Sequence, residues 1–197
     1  IAKIGQFPWR RDIYSKILNN LNQFNPSAIA FDIVFSEEDK QNPQDLLLKL
    51  QKESDQLISA NVLNTNKIFI DSISKSKVIL PVLGEPNDNF VENNSKPKLR
   101  IITKGENAKN FLYSYKNKII SLEEINNAAS GIGAISLIPN IDGIIRNIPL
   151  LYNIDNQIWP SLALEAIRIA TNQKNLLVQS DKSGISVIKT RKDVFPG

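Results

Sequence analysis

The sequence predicts a three-layer α/β domain with a mixed, mainly parallel sheet and a late antiparallel hairpin. Three observations lead there. Helix-period and strand-period segments alternate early in the chain. The run Ala28-Ile-Ala-Phe-Asp-Ile-Val-Phe35 is apolar on both faces, as a strand covered by helices on both sides must be. Two strand-like segments late in the chain flank a cluster of turn residues. The 197 residues, 42% of them hydrophobic, are enough for one sizeable core and are read as a single domain over 1–197.

Ile13, Ile17, Leu18 and Leu21 recur at helical spacing behind Pro8 and Trp9, and Asp12 favours a helix N-terminus, so a helix is expected from Asp12 to Phe24. Asn25 and Pro26 end it, and the central strand Ala28 to Phe35 follows. Pro43 opens a second helix with Leu46, Leu47, Leu50, Leu57 and Ile58 as its stripe. Lys77 to Leu83 reads as a buried strand, and the Asn-, Pro- and charge-rich stretch Gly84 to Lys98 as a loop. Ser121-Leu-Glu-Glu124 has the capping-box form, which predicts a short helix to Ala129.

Gly131 to Leu137 is then a strand, Pro139, Asn140, Asp142 and Gly143 a turn, and Ile144 to Ile154 a second strand antiparallel to the first. Trp159 to Thr171 has helical periodicity, with Trp159 expected to be buried and Ser161 near the cap. Leu176 to Ile188 adds a strand or hairpin at a sheet edge. No internal repeat is visible.

The chain has no Cys and no His, which removes thiol chemistry, disulfides, imidazole base catalysis and ordinary zinc sites together. No catalytic residue, metal site or cofactor is expected. The charge of +4 comes from 24 basic and 20 acidic residues scattered along the chain, a solvated surface and not the gathered basic face of a nucleic-acid binder. No run reaches the roughly 18 to 20 apolar residues of a membrane-spanning helix. The chain starts at Ile1 and contains no Met, so a segment of a longer protein is expected.

Two charged residues stand out by their neighbours. Strand alternation puts Arg146 on one face with Ile144 and Ile148, and Asp32 lies inside the most apolar run of the chain, near the carboxyl end of its strand. An unpaired buried charge costs several kcal/mol, so each needs compensation. The expectation is that Asp32 and Arg146 lie in one polar cluster within the sheet, beside the Asp142-Gly143 turn. Support of the fold is the first reading of that cluster and ligand contact the second. Trp9 and Arg11, in Phe7-Pro-Trp-Arg-Arg11, either cover the edge of the core or hold an anion.

The order Phe7-Pro8-Trp9-Arg10-Arg11, Phe31-Asp32-Ile33-Val34-Phe35-Ser36-Glu37, Asp142-Gly143-Ile144-Ile145-Arg146-Asn147-Ile148-Pro149-Leu150 and Ser161-Leu162-Ala163-Leu164 resembles the CHASE2 family across nearly the whole chain. Arg10 stands where the family commonly has a second Pro. The resemblance implies an extracytoplasmic, periplasmic sensor domain of a bacterial inner-membrane receptor, with transmembrane helices before Ile1 and soon after Gly197. It also implies a cytoplasmic output such as an adenylate or guanylate cyclase, a histidine or protein kinase, or a diguanylate cyclase. The stimulus, a small molecule or a protein, is open, and a homodimer is expected of the full-length receptor.

Two rival readings stand beside it. A carboxylate-based hydrolase could use Asp32, but Val34 occupies the place where haloacid-dehalogenase-like phosphatases need a second Asp, and Glu37, Glu38 and Asp39 read as a solvated loop. An interaction or dimerisation module without a small ligand is the stronger rival. A closed polar pocket around Arg146 and Asp32 would favour a solute, and a solid core with an exposed apolar patch would favour a partner.

Overall fold

A computed structural model describes residues 5–54, 62–86, 95–137, 142–190 and 194–196. Helix α1 (Arg11–Asn22) begins beside Asp12, whose carboxylate lies in the first turn and accepts two hydrogen bonds from Arg10 at 2.6 and 3.0 Å. Its buried face carries Arg11, Tyr14, Ser15 and Leu18. The expected stripe is therefore rotated: Ile17 and Leu21 are exposed, because Tyr14 takes the inward position among aromatic rings.

Strand β1 is Ile29–Ala30, far shorter than the central strand expected over 28–35. The reason lies in strand β2 (Val78–Glu85), which is the centre of its sheet. Strand β1 pairs with Val78 and Ile79 in parallel, and β5 (Asn117–Ile120) then pairs antiparallel with Val82 to Glu85 on the same edge. Beyond Phe31 that edge is already occupied. On the other edge, β6 (Gly131–Ala134) pairs with β2 in parallel from Ile79 to Val82.

Helices α2 (Pro43–Ser54), α3 (Thr65–Ser74), α4 (Glu123–Ala128) and α5 (Leu162–Ala170) follow, with a short 3-10 helix at Ala108–Phe111. Pro43 opens α2 as expected; Leu57 and Ile58 lie outside the described residues. The Ser121 capping box does not form. Its hydroxyl accepts from the Phe35 N–H at 3.0 Å, and the helix starts two residues later at Glu123. Val78 and Leu80 face a core built from α1, α3 and α4, in which Tyr14, Phe31, Phe35 and Phe69 pack edge to face, for example at 4.8 Å between Phe35 and Phe69. Alternation turns Ile79 to the opposite face, which α5 covers. The first sheet thus has helices on both sides.

The remaining strands form two further mixed sheets among the described residues. In one, β4 (Ser114–Tyr115) pairs in parallel with β7 (Leu151–Ile154), which pairs antiparallel with β8 (Gln157–Pro160). In the other, β3 (Arg100–Gly105) runs parallel to β9 (Asn175–Asp181), followed by β10 (Gly184–Lys189) and β11 (Val194–Pro196), both antiparallel. The α/β class, the mixing of strand directions and the hairpin near Leu176 to Ile188 hold. The hairpin of 131–137 with 144–154 does not. Asp155 and Asn156, with φ of 52° and 54°, make a two-residue turn whose left-handed geometry suits a tight hairpin, so β7 folds back onto β8. Trp159 is fully buried as expected, but in β8 and not in a helix.

Candidate functional site

Arg146 is the first of the sequence-selected residues to find a partner, and the partner is local. Its guanidinium donates to both carboxylate oxygens of Asp142 at 3.0 and 2.7 Å, and the Ile144 N–H donates to Asp142 as well, at 3.1 Å. The pair is exposed, with side chains 51% and 48% accessible, and the hydrogen bonds hold the Asp142 carboxyl below the usual carboxylate range. Gly143 adopts φ +78°, in keeping with its expected turn role, while Pro139 and Asn140 lie outside the described residues. Residues 144–149 form no strand, so alternation never carries Arg146 into the sheet.

Asp32 is exposed. The expected buried Asp32–Arg146 cluster is therefore corrected: Arg146 is bound to Asp142 at the surface, and no bond to Asp32 is made among the described residues. What made Asp32 look buried was the apolar run around it. Because β1 is an edge strand that ends at Ala30, the side chain at 32 reaches solvent.

Arg11 and Trp9 lie on the α1 and α3 side of the first sheet. Arg11 is buried, donates to Asn66 Oδ1 at 2.8 Å and to the Glu37 carbonyl, and stacks over the Phe35 ring at 5.7 Å. Burial lowers its pKa, opposed by Asp39 and Glu38. Asp39 accepts from the Arg11 backbone N–H at 2.9 Å and from the Thr65 hydroxyl at 2.8 Å, while Asn42 accepts from the Thr65 N–H at 3.0 Å. Trp9 packs on Tyr14 with ring centres 6.1 Å apart. A cleft of about 320 Å³ lies here, but the polar groups of its floor are already bonded to one another. The network ties α1, the 36–42 loop and α3 together.

A second cleft, of about 340 Å³, is different in kind. It opens where β1 and β6 end and α5 begins, the crevice where open α/β sheets place ligands. Its walls are Ala30, Ala134, Ala163 and Ala166, with Tyr152 and Ile148. Asp32 stands at its lip, bonded to nothing among the described residues. Gly131 and Gly133 bring α5 this close: a Cβ at Gly133 would lie 2.6 Å from the Leu162 Cα, and one at Gly131 would run into the Glu165 carboxylate. Ser161 caps α5 by accepting from the Leu164 N–H at 3.2 Å. The Tyr152 hydroxyl donates to the Ser136 carbonyl at 2.7 Å, and burial pushes its pKa up to about 12, so it remains a neutral wall.

Among the ion pairs that escaped the sequence reading, two involve side chains packed inside the domain. Glu165 and Arg168 lie on the inner face of α5, and the guanidinium donates to both carboxylate oxygens at 2.6 and 2.7 Å. Burial raises the Glu165 pKa, while Arg168 and the Ile132 N–H oppose that rise. Lys118, 3% accessible, meets Asp155 at 2.6 Å. The first pair had a sequence signal: a carboxylate and a guanidinium three residues apart inside the apolar Leu162–Ala170 stripe.

Against known proteins, the model of the CHASE2 domain matches residues 1–195. The chain belongs to the CHASE2 family. CHASE2 domains are extracellular sensory domains of signalling receptors and not catalysts, which agrees with the fold and with the resemblance carried by the four sequence motifs. No curated protein and no solved structure matches the chain. Among the described residues of this CHASE2 domain, no helix is long and apolar enough to cross a membrane.

Proposed function

We propose that this CHASE2 domain is the periplasmic sensor of a bacterial transmembrane receptor. Transmembrane helices flank it, and its state governs a cytoplasmic adenylate or guanylate cyclase, histidine kinase or similar output. The family match over residues 1–195 carries the reading. The absence of His and Cys, with Val34 where a phosphatase would need a second Asp, argues against turnover by the domain itself. Replacing 1–197 in the full-length receptor with a Gly/Ser linker of similar span tests it. Basal output should persist while its dependence on external conditions disappears; an unchanged dependence would refute the assignment.

A second reading, a dimerisation or protein-binding module, has its own observation. Leu137, Ile144, Ile145 and Ile148 are exposed along one stretch of chain, and Leu46, Leu48 and Leu50 are exposed on α2. The two readings separate by sedimentation of the 197-residue chain: dimers abolished by Ile144→Lys with Ile148→Lys favour the module, and a monomer at all concentrations favours the solute sensor.

A further inference from the structure

We infer that the cleft between β1, β6 and α5 binds a small organic amine with an apolar body, the ammonium group resting on the Asp32 carboxylate. The inference rests on the sensory reading above and gives its stimulus a chemical class.

Chemistry on the walls sets the body of the ligand. Four alanines leave a concave, apolar space of about 340 Å³, at the small end of the range for ligand pockets. Tyr152 adds a ring whose hydroxyl is already bonded to Ser136, so it offers the ligand an apolar surface and no proton. Ile148, 63% exposed and on the irregular segment after the Asp142–Arg146 pair, has apolar surface to cover on that side. A strongly polar solute would lose its hydration in this space and recover little.

Charge at the lip sets the head. Asp32, at the mouth of this apolar cleft, makes no hydrogen bond or ion pair among the described residues. An acceptor-only group beside an apolar cavity favours a donor with positive charge and disfavours an anion. In the Arg11 cleft the polar groups satisfy one another, whereas here the Asp32 carboxylate is left for an incoming molecule.

The test uses the 197-residue chain with hexylamine and 2-phenylethylamine as probes. 1-Hexanol serves as the neutral analogue and hexanoate as the anionic one, and dissociation constants come from calorimetry or from protein NMR shifts. The amines should bind about three- to fivefold more tightly than the alcohol, and hexanoate more weakly still. Asp32→Asn should erase the preference for amine over alcohol while leaving alcohol binding intact. Ala163→Leu, at an exposed helical position that Leu suits, should fill the cleft and abolish binding of every probe while the circular dichroism spectrum stays native. Equal affinity for amine, alcohol and carboxylate, persistence of the amine preference in Asp32→Asn, or no binding by any probe would each overturn the inference. None of those outcomes touches the sensory reading, which the linker replacement in the full-length receptor decides independently.

Discussion

Glu165 and Arg168 test the energetics of the α5 face most sharply. Their side chains are 0% and 6% accessible, and the guanidinium also donates to the Gln173 carbonyl at 2.5 Å, so the pair fastens both the β6 face and the end of α5. Removing one partner of such a pair strands a buried charge, at a cost of about 3 to 5 kcal/mol. For a domain of this size each kcal/mol shifts Tm by about 2 to 4 °C, so Glu165→Gln should lower Tm by about 6 °C or more. Arg168→Met should be similarly damaging near pH 8, with a difference in pH dependence.

Burial already raises the Glu165 pKa, and without Arg168 it rises further. A carboxyl whose folded pKa lies above its unfolded value contributes most stability below the unfolded value, and that contribution is lost as pH rises through the folded one. The Arg168→Met defect should therefore shrink as pH falls toward 4, while that of Glu165→Gln, which leaves no carboxyl to titrate, should not shrink. Urea unfolding of the two single mutants and the double mutant at several pH values gives the coupling, expected at about 2 kcal/mol. Additive single-mutant effects below about 0.5 kcal/mol each, with no pH dependence, would refute the buried-pair account.

Other expectations follow from the same contacts. Arg146→Ala should leave Tm unchanged within error, because its pair with Asp142 is exposed, and Asp32→Ala with Arg146→Ala should show no coupling in a double-mutant unfolding cycle. Gly133→Ala should lower Tm by several degrees, a cost of about 1 to 3 kcal/mol of overpacking, because the new Cβ meets α5 backbone that cannot rotate away; thermal melts measure it. The Arg10 hydrogen bonds hold the Asp12 carboxyl below its ordinary pKa, so Asp12 adds stability above the normal carboxylate range that is lost as pH falls through its lowered value. Asp12→Asn should flatten that acid limb in urea unfolding between pH 2 and 6.

Much of the architecture was legible. Period and breakers placed α1 after Trp9, α2 at Pro43, the buried strand at β2 and the hairpin of β9 and β10, because each of these obeys its own local pattern, although that hairpin sits inside its sheet between β11 and β3 and not at the expected edge. Illegible parts depend on which edge of β2 is free. The run 28–35 has the composition of a central strand, yet β5 occupies the edge that β1 would need. Likewise Ile144 to Ile154 looks like one strand, but the Asp155-Asn156 turn commits only its last residues to pairing. Both errors moved a charge: Asp32 and Arg146 were read as buried because their strands were read as longer than they are. The Arg11 anchor was legible as a choice between core edge and anion site, and Asp39, Thr65 and Asn66, distant in sequence, complete it as a core-edge network.

The central claim, a sensor domain facing out of the cell, is tested most directly by an antibody fragment raised against the folded 197-residue chain. Added to intact spheroplasts carrying the full-length receptor, it should label the cells without permeabilisation and shift the output measured inside. Labelling that appears only after the membrane is opened would contradict the account.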